Sequence, residues 1–116
     1  MAQISIKKLL LRTQVGFNPH EIGKKQDLIL NIEIDYDLRG EELSDMPAEA
    51  LNYRTICKDI IELVEGKSYN LLEKVANEVA CHILNNERVM SVWVEVDKPH
   101  ALRFADSVSF AIRKLK

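Results

Sequence analysis

From Leu28 to Tyr36 the chain alternates with a period of two. Leu28, Leu30, Ile32, Ile34 and Tyr36 fall on one face, Asp27, Asn31, Glu33, Asp35 and Asp37 on the other, and only Ile29 breaks the polar side. Successive side chains of an extended chain point to opposite faces, so this pattern predicts a strand with one buried and one wet face. The same alternation returns twice. Met90, Val92, Val94 and Val96 oppose Ser91, Trp93, Glu95 and Asp97, and Val108, Phe110 and Ile112 oppose Ser107, Ser109 and Arg113. A further strand is expected within Ile4 to Val15, where Ile4 and Ile6 alternate ahead of Leu9, Leu10 and Leu11. Gly16, Asn18, Pro19 and Gly23 punctuate the loop that follows.

Between the second and third strands the period changes. Tyr53, Ile56, Cys57, Ile60, Ile61 and Val64 recur at steps of three and four, as do Leu72, Val75, Ala76, Val79, Ala80 and Ile83, which predicts two amphipathic helices. Asn52 is placed to cap the first and Gly66 to end it. Asn70 and Glu73 have the spacing of a capping box for the second. The order β-β-α-α-β-β predicts an α+β fold: a four-stranded antiparallel sheet with two helices on one face. Four strands and two helices leave the other face and the sheet edges poorly covered. Such edges are a liability removed by pairing or closure, so the pattern suggests a subunit that completes its sheet with neighbours.

At 116 residues the chain is expected to form one domain, residues 1–116. A net charge of -2, with acids and bases interspersed, gives no footprint for nucleic acid. No apolar run is long enough to cross a bilayer, and Met1 to Lys8 lacks the features of a signal peptide, so the cytosol is the expected compartment. Cys57 and Cys81 read as buried free thiols. His20, His82 and His100 have no metal-ligand spacing, and no metal site is expected.

Few residues suggest chemistry on pattern alone. Tyr53 opens a helix but lies on its apolar face, which favours a packed core tyrosine. Glu73 falls in the first turn of a helix, where a carboxylate stabilises the end by about 0.3–1 kcal/mol whatever else it does. Lys98 before Pro99 reads as a solvated strand-end charge, Glu21 as a charge on a wet loop, and His100 and Arg103 as exposed loop residues. Periodicity does not choose between an enzyme and a binding module.

Three segments narrow the choice: Ala50-Leu51-Asn52-Tyr53-Arg54-Thr55, Asn70-Leu71-Leu72-Glu73-Lys74, and the stretch from Glu95 through Lys98-Pro99-His100-Ala101-Leu102-Arg103 to Ser109. In order and spacing they resemble the dihydroneopterin aldolase family, and the last segment is most similar to its triphosphate epimerase branch. The resemblance runs from near Ile4 to the end. It implies the tunnelling fold, in which subunits ring together, commonly as octamers of two stacked tetramers with active sites between neighbours. It also implies a reduced pterin as substrate, with no cofactor.

By that resemblance Glu73 is the pterin anchor, a carboxylate taking two parallel N–H donors, aided by backbone groups around Leu51 and Leu72. Lys98 and Tyr53 are the catalytic pair, and Glu21 an acidic residue near the substrate. Cleavage between C1′ and C2′ takes the C2′ hydroxyl proton and passes electrons into the ring's C6=N5 imine. Lys98 would protonate N5 as general acid, with Tyr53 assisting the hydroxyl proton and no Schiff base formed. Protonation of C1′ gives an aldolase; re-addition to the other face of the aldehyde gives an epimerase. Arg103, His100 and Arg54 are expected near a phosphorylated side chain, because arginine binds phosphate bidentately. The expected activity is therefore epimerisation at C2′ of dihydroneopterin triphosphate. The rivals are the aldolase reaction of folate synthesis and a non-catalytic α+β module.

Overall fold

The computed structural model describes residues 1–116. Strands β1 (Ala2–Thr13), β2 (Gln26–Tyr36), β3 (Val89–Pro99) and β4 (Ser107–Leu115) form one sheet in that order, every neighbouring pair antiparallel. Between β2 and β3 lie a short helix α1 (Glu41–Ser44), a 3-10 turn (Pro47–Glu49), and the two main helices α2 (Tyr53–Glu65) and α3 (Leu72–Leu84). The α+β architecture and its β-β-α-α-β-β order are those expected.

The register explains the apolar pattern. Ile32 of β2 pairs with Ile6 and Val94, and Leu30 with Leu9 and Val96, so one face carries the inward side chains of three strands. In β1 the inward positions change from even to odd between Ile6 and Leu9, where one extra residue is inserted. At this bulge Lys8 has φ 55, and its N–H donates to Asn31 Oδ1 at 2.9 Å. The cluster Leu9-Leu10-Leu11 hid this change of phase, which puts Leu11 inside and Leu10 out. Helix α3 lies on β3 and β4 and α2 against β1, closing a core of 21 buried apolar residues.

Cap chemistry holds for α2, where Asn52 Oδ1 accepts from the Thr55 N–H at 3.1 Å. The capping box expected for α3 does not form. Leu71, extended at φ -130, takes the N-cap position, which leaves Asn70 one residue too early and the helix without a side-chain cap. Cys81, expected to be buried, is exposed, while Cys57 is half-buried; both are free thiols. No helix is long and apolar enough to cross a membrane.

Arg88, just before β3, gave no signal in the sequence. It is 7% exposed, donates to the carbonyls of Asp37 and Glu49, and pairs with Glu41 at 2.5 Å, tying the α1 segment to the start of β3. The radius of gyration is 15.5 Å, against about 13 Å for a compact chain of this length. Strands of 9–12 residues reach well beyond helices of 13, so part of the sheet stands clear of its own helical cover.

Candidate active site

Lys98 is the penultimate residue of β3, in phase with Val94 and Val96 on the helix-facing side. Its ammonium is buried, donating to the Val15 carbonyl at 3.0 Å and to Glu21 Oε2. Glu21 is buried too and accepts from Asn18 Nδ2 at 2.9 Å and Gln26 Nε2 at 3.2 Å. The hydrogen bond from Lys98, reinforced by Gln26 and Asn18, outweighs burial and holds the Glu21 carboxyl down at about 2. Lys98 is thus not the solvated strand-end charge that pattern suggested, and Glu21 is not a wet-loop charge. Both are drawn inside because each supplies the other's counter-charge.

The loop carrying Glu21 is fixed from behind. Val15 bridges to Tyr69, with Gly16 N–H donating to the Tyr69 carbonyl at 3.0 Å and Tyr69 N–H to the Gln14 carbonyl at 2.8 Å. The Tyr69 hydroxyl donates to Glu78 Oε2 of α3 at 2.7 Å. Gly16 sits at φ 134, and a Cβ there would fall on the Glu21 carboxylate. Glycine is required on both counts.

Facing this pair is the uncapped start of α3. Its first N–H groups have no side-chain acceptor, and Glu73 stands exposed in the first turn. Glu73, Leu72, Asn70, Gly16, Glu21 and Lys98 line one open cleft of about 460 Å³, whose apolar walls include Phe17, Leu71, Leu102 and Val108. Asn18 lines the cleft as well, and Gly16, Phe17, Asn18, Asn70, Leu71, Leu102 and Val108 were not expected at the site; loop residues without periodicity leave no trace of where they point, and Val108 read only as a strand position. His100, at φ 61, lines an adjoining cleft. Arg103 lies outside both, exposed, with its guanidinium 5.5 Å from the Phe104 ring centre.

Tyr53, Arg54 and Leu51 are elsewhere. The first half of α2 lies beside the last turn of α3: Asp59 meets His82 at 3.5 Å, and Asn52 shares a cleft with Asn85 and Asn86. Helix α3 rises about 20 Å over its 13 residues, so Tyr53 stands at the opposite end of the helix pair from Glu73. Tyr53 is 58% exposed rather than packed in the core, whereas Ile56, three residues on, is buried. Leu51 is buried, which leaves only its backbone for a ligand.

A buried lysine–carboxylate pair opening on a cleft, with a free helix start and a second carboxylate opposite, is an arrangement suited to acid–base chemistry on a small ring-shaped ligand. The family description for dihydroneopterin aldolase (FolB) matches residues 4–113. The chain belongs to the dihydroneopterin aldolase family. It is 46% identical over 113 residues to a dihydroneopterin triphosphate 2′-epimerase of Pseudomonas aeruginosa, covering 97% of this chain and 91% of that one. With the enzyme of that name from Escherichia coli K12 it shares 42% over 111 residues, covering 96% and 92%. The structure of E. coli dihydroneopterin aldolase in complex with neopterin superposes with a TM-score of 0.92 at 32% identity, covering 98% of this chain and 99% of that one.

Proposed function

We propose that this enzyme epimerises 7,8-dihydroneopterin triphosphate at C2′, giving dihydromonapterin triphosphate by retro-aldol cleavage and re-addition. The observation that carries the reading is the convergence of Lys98, Glu21 and Glu73 on one cleft from three distant parts of the chain. The choice of epimerase over aldolase rests on 46% and 42% identity to epimerases, against 30% and 34% to aldolases of Haemophilus influenzae and E. coli.

In this scheme the pterin's guanidine-like edge donates to Glu73, and the first N–H groups of α3 meet its acceptors. The ring then lies between Leu72 and Phe17 with its side chain toward Lys98. A water held by Tyr53 takes the C2′ hydroxyl proton as the C1′–C2′ bond breaks, and the electron pair enters C6=N5 as Lys98 protonates N5. Glu21 orients the ammonium and stabilises its charged form between turnovers. The freed aldehyde turns, C1′ attacks its other face, N5 returns its proton to Lys98, the new C2′ alkoxide regains the proton first taken, and C2′ is inverted.

Tyr53 takes part from a neighbouring subunit. About 20 Å separates it from Glu73 within one chain, the β1 and β4 edges are unpaired, and the molecule is more extended than its length requires. A ring of subunits, two stacked as an octamer, would pair those edges and bring the partner's Tyr53, Arg54 and Leu51 backbone to each cleft. A reduced pterin and two free thiols suit the cytosol.

Incubation with dihydroneopterin and, separately, its triphosphate, followed by chromatography of the oxidised products, tests this reading. Monapterin formed fastest from the triphosphate supports it. Hydroxymethylpterin as the main product from unphosphorylated substrate would make the enzyme an aldolase.

A further inference from the structure

Beside the cleft that holds Glu73 and Lys98 lies a second, of about 300 Å³, lined by His20, Glu21, Lys24, Lys25, Gln26, His100 and Ala101. The two share His20, Glu21 and Ala101 as walls, so one continues into the other. Their linings differ in kind. The first is in large part apolar, as a flat ring requires, whereas the second carries two lysines and two histidines and a single apolar side chain.

Within this cleft the basic side chains outnumber the acidic ones; Lys24 and Lys25 also border a further cleft whose one carboxylate, Glu65, already accepts from the Arg12 N–H. The second cleft's one carboxylate, Glu21, is already paired with Lys98 and further held by Asn18 and Gln26. Lys67, by contrast, is taken up by Glu78, whereas neither Lys24 nor Lys25 ends in an ion pair of the chain. The backbone beneath the lysines is fixed. Gly23, at φ 80, donates its N–H to Gln14 Oε1 at 2.8 Å, and the Lys25 carbonyl accepts from Arg12 Nη2 at 3.3 Å. In a chain of net charge -2 this is a local positive recess, with low-dielectric walls that concentrate its field.

We infer that this recess binds the triphosphate of the substrate, with Lys24 and Lys25 as the main cationic contacts and His20 and His100 as N–H donors flanking the tail. The inference rests on the proposed reaction for the identity of the anion, and it moves the principal phosphate contacts away from Arg103. A pterin anchored on Glu73 with its side chain toward Lys98 would extend past Glu21 directly into the recess. Holding the tail there also keeps the cleaved aldehyde, which carries the phosphates, beside the ring until it re-adds. The lysines therefore determine specificity and outcome without touching the reacting atoms.

The test compares wild type, Lys24→Ala/Lys25→Ala, Lys24→Arg/Lys25→Arg and Arg103→Ala on dihydroneopterin and its triphosphate. For the double alanine variant the KM for the triphosphate should rise about tenfold or more relative to that for dihydroneopterin, as expected for the loss of two charge-assisted contacts. The arginine variant should recover most of that ratio. Calorimetry with inorganic tripolyphosphate gives a readout independent of turnover: binding to wild type, weakened by a similar factor in the double alanine variant, supports the recess. An unchanged KM ratio and unchanged tripolyphosphate binding in that variant overturn it, as does a ratio that moves only in Arg103→Ala. If wild type binds tripolyphosphate through the lysines yet makes no monapterin, the recess stands and the epimerase reading fails.

Discussion

Lys98 and Glu21 lie 77 residues apart in the chain, yet their side chains form an ion pair in which each is only 10% exposed. Two charges removed from water in this way are tolerated because each satisfies the other and further polar groups complete both: the Val15 carbonyl for the lysine, Asn18 and Gln26 for the carboxylate. The pair is therefore a structural element and, on the proposed reaction, a source of chemistry as well.

Lys98→Met should separate these roles from Glu21→Gln. The methionine variant loses the group assigned to N5 and should turn over about 10²–10⁴-fold more slowly. It also leaves Glu21 buried without its counter-charge, a change that costs about 3–5 kcal/mol in buried pairs. Chemical denaturation alongside turnover measures both. Equal loss of rate in Lys98→Met and in a distant surface variant would remove Lys98 from the mechanism.

Glu21 also predicts an acid limb of stability. Its carboxyl titrates at about 2 in the folded chain against an ordinary 4.5, so between these values the unfolded state binds more protons. The contribution is complete above pH 4.5 and is lost as pH falls toward 2. It amounts to something on the order of 1–3 kcal/mol. The stability difference between wild type and Glu21→Gln, measured from pH 7 down to pH 2, should shrink across that interval.

Gly16→Ala tests the seat of the pair. The added methyl meets the Glu21 carboxylate and the φ of 134 is strained for any L-residue, so stability should fall by about 1–3 kcal/mol. Gly23→Ala is the control, strained at φ 80 but with open space around its Cβ, and should lose stability while keeping more activity.

Mixing tests the composite site. Tyr53→Phe and Lys98→Met subunits, each with low activity alone, should regain about a quarter of wild-type activity when refolded together in equal amounts. In random rings that fraction of clefts combines an intact Lys98 with a neighbour's intact Tyr53. No recovery would mean that both residues serve the same subunit's cleft.

The sheet and both main helices were legible because their buried positions repeat at periods of two and 3.6, and burial is what those periods record. The β1 bulge was not, since Leu9, Leu10 and Leu11 are apolar on either phase, and the change of register shows only in the pairing with β2, where the Lys8 N–H donates to Asn31. Glu73, Lys98 and Glu21 were singled out through family resemblance, and the fold brings them to one cleft. Periodicity alone assigned all three to bland roles: the pairing of Glu21 with Lys98, 77 residues on, leaves no local trace, and a first-turn carboxylate such as Glu73 reads as a helix-end charge. Lys24 and Lys25 were overlooked for the same reason: two lysines on a turn look solvated until the fold sets them beside a carboxylate that is already neutralised.

The separation of Tyr53 from Lys98 along the helix pair reaches beyond the geometry of one cleft. If each chain lends its tyrosine away and borrows another, dilution below the assembly constant acts as an inhibitor, and activity per chain rises with concentration. A Tyr53 lesion would then be felt in the neighbour's cleft, so one defective copy in a ring harms an intact one.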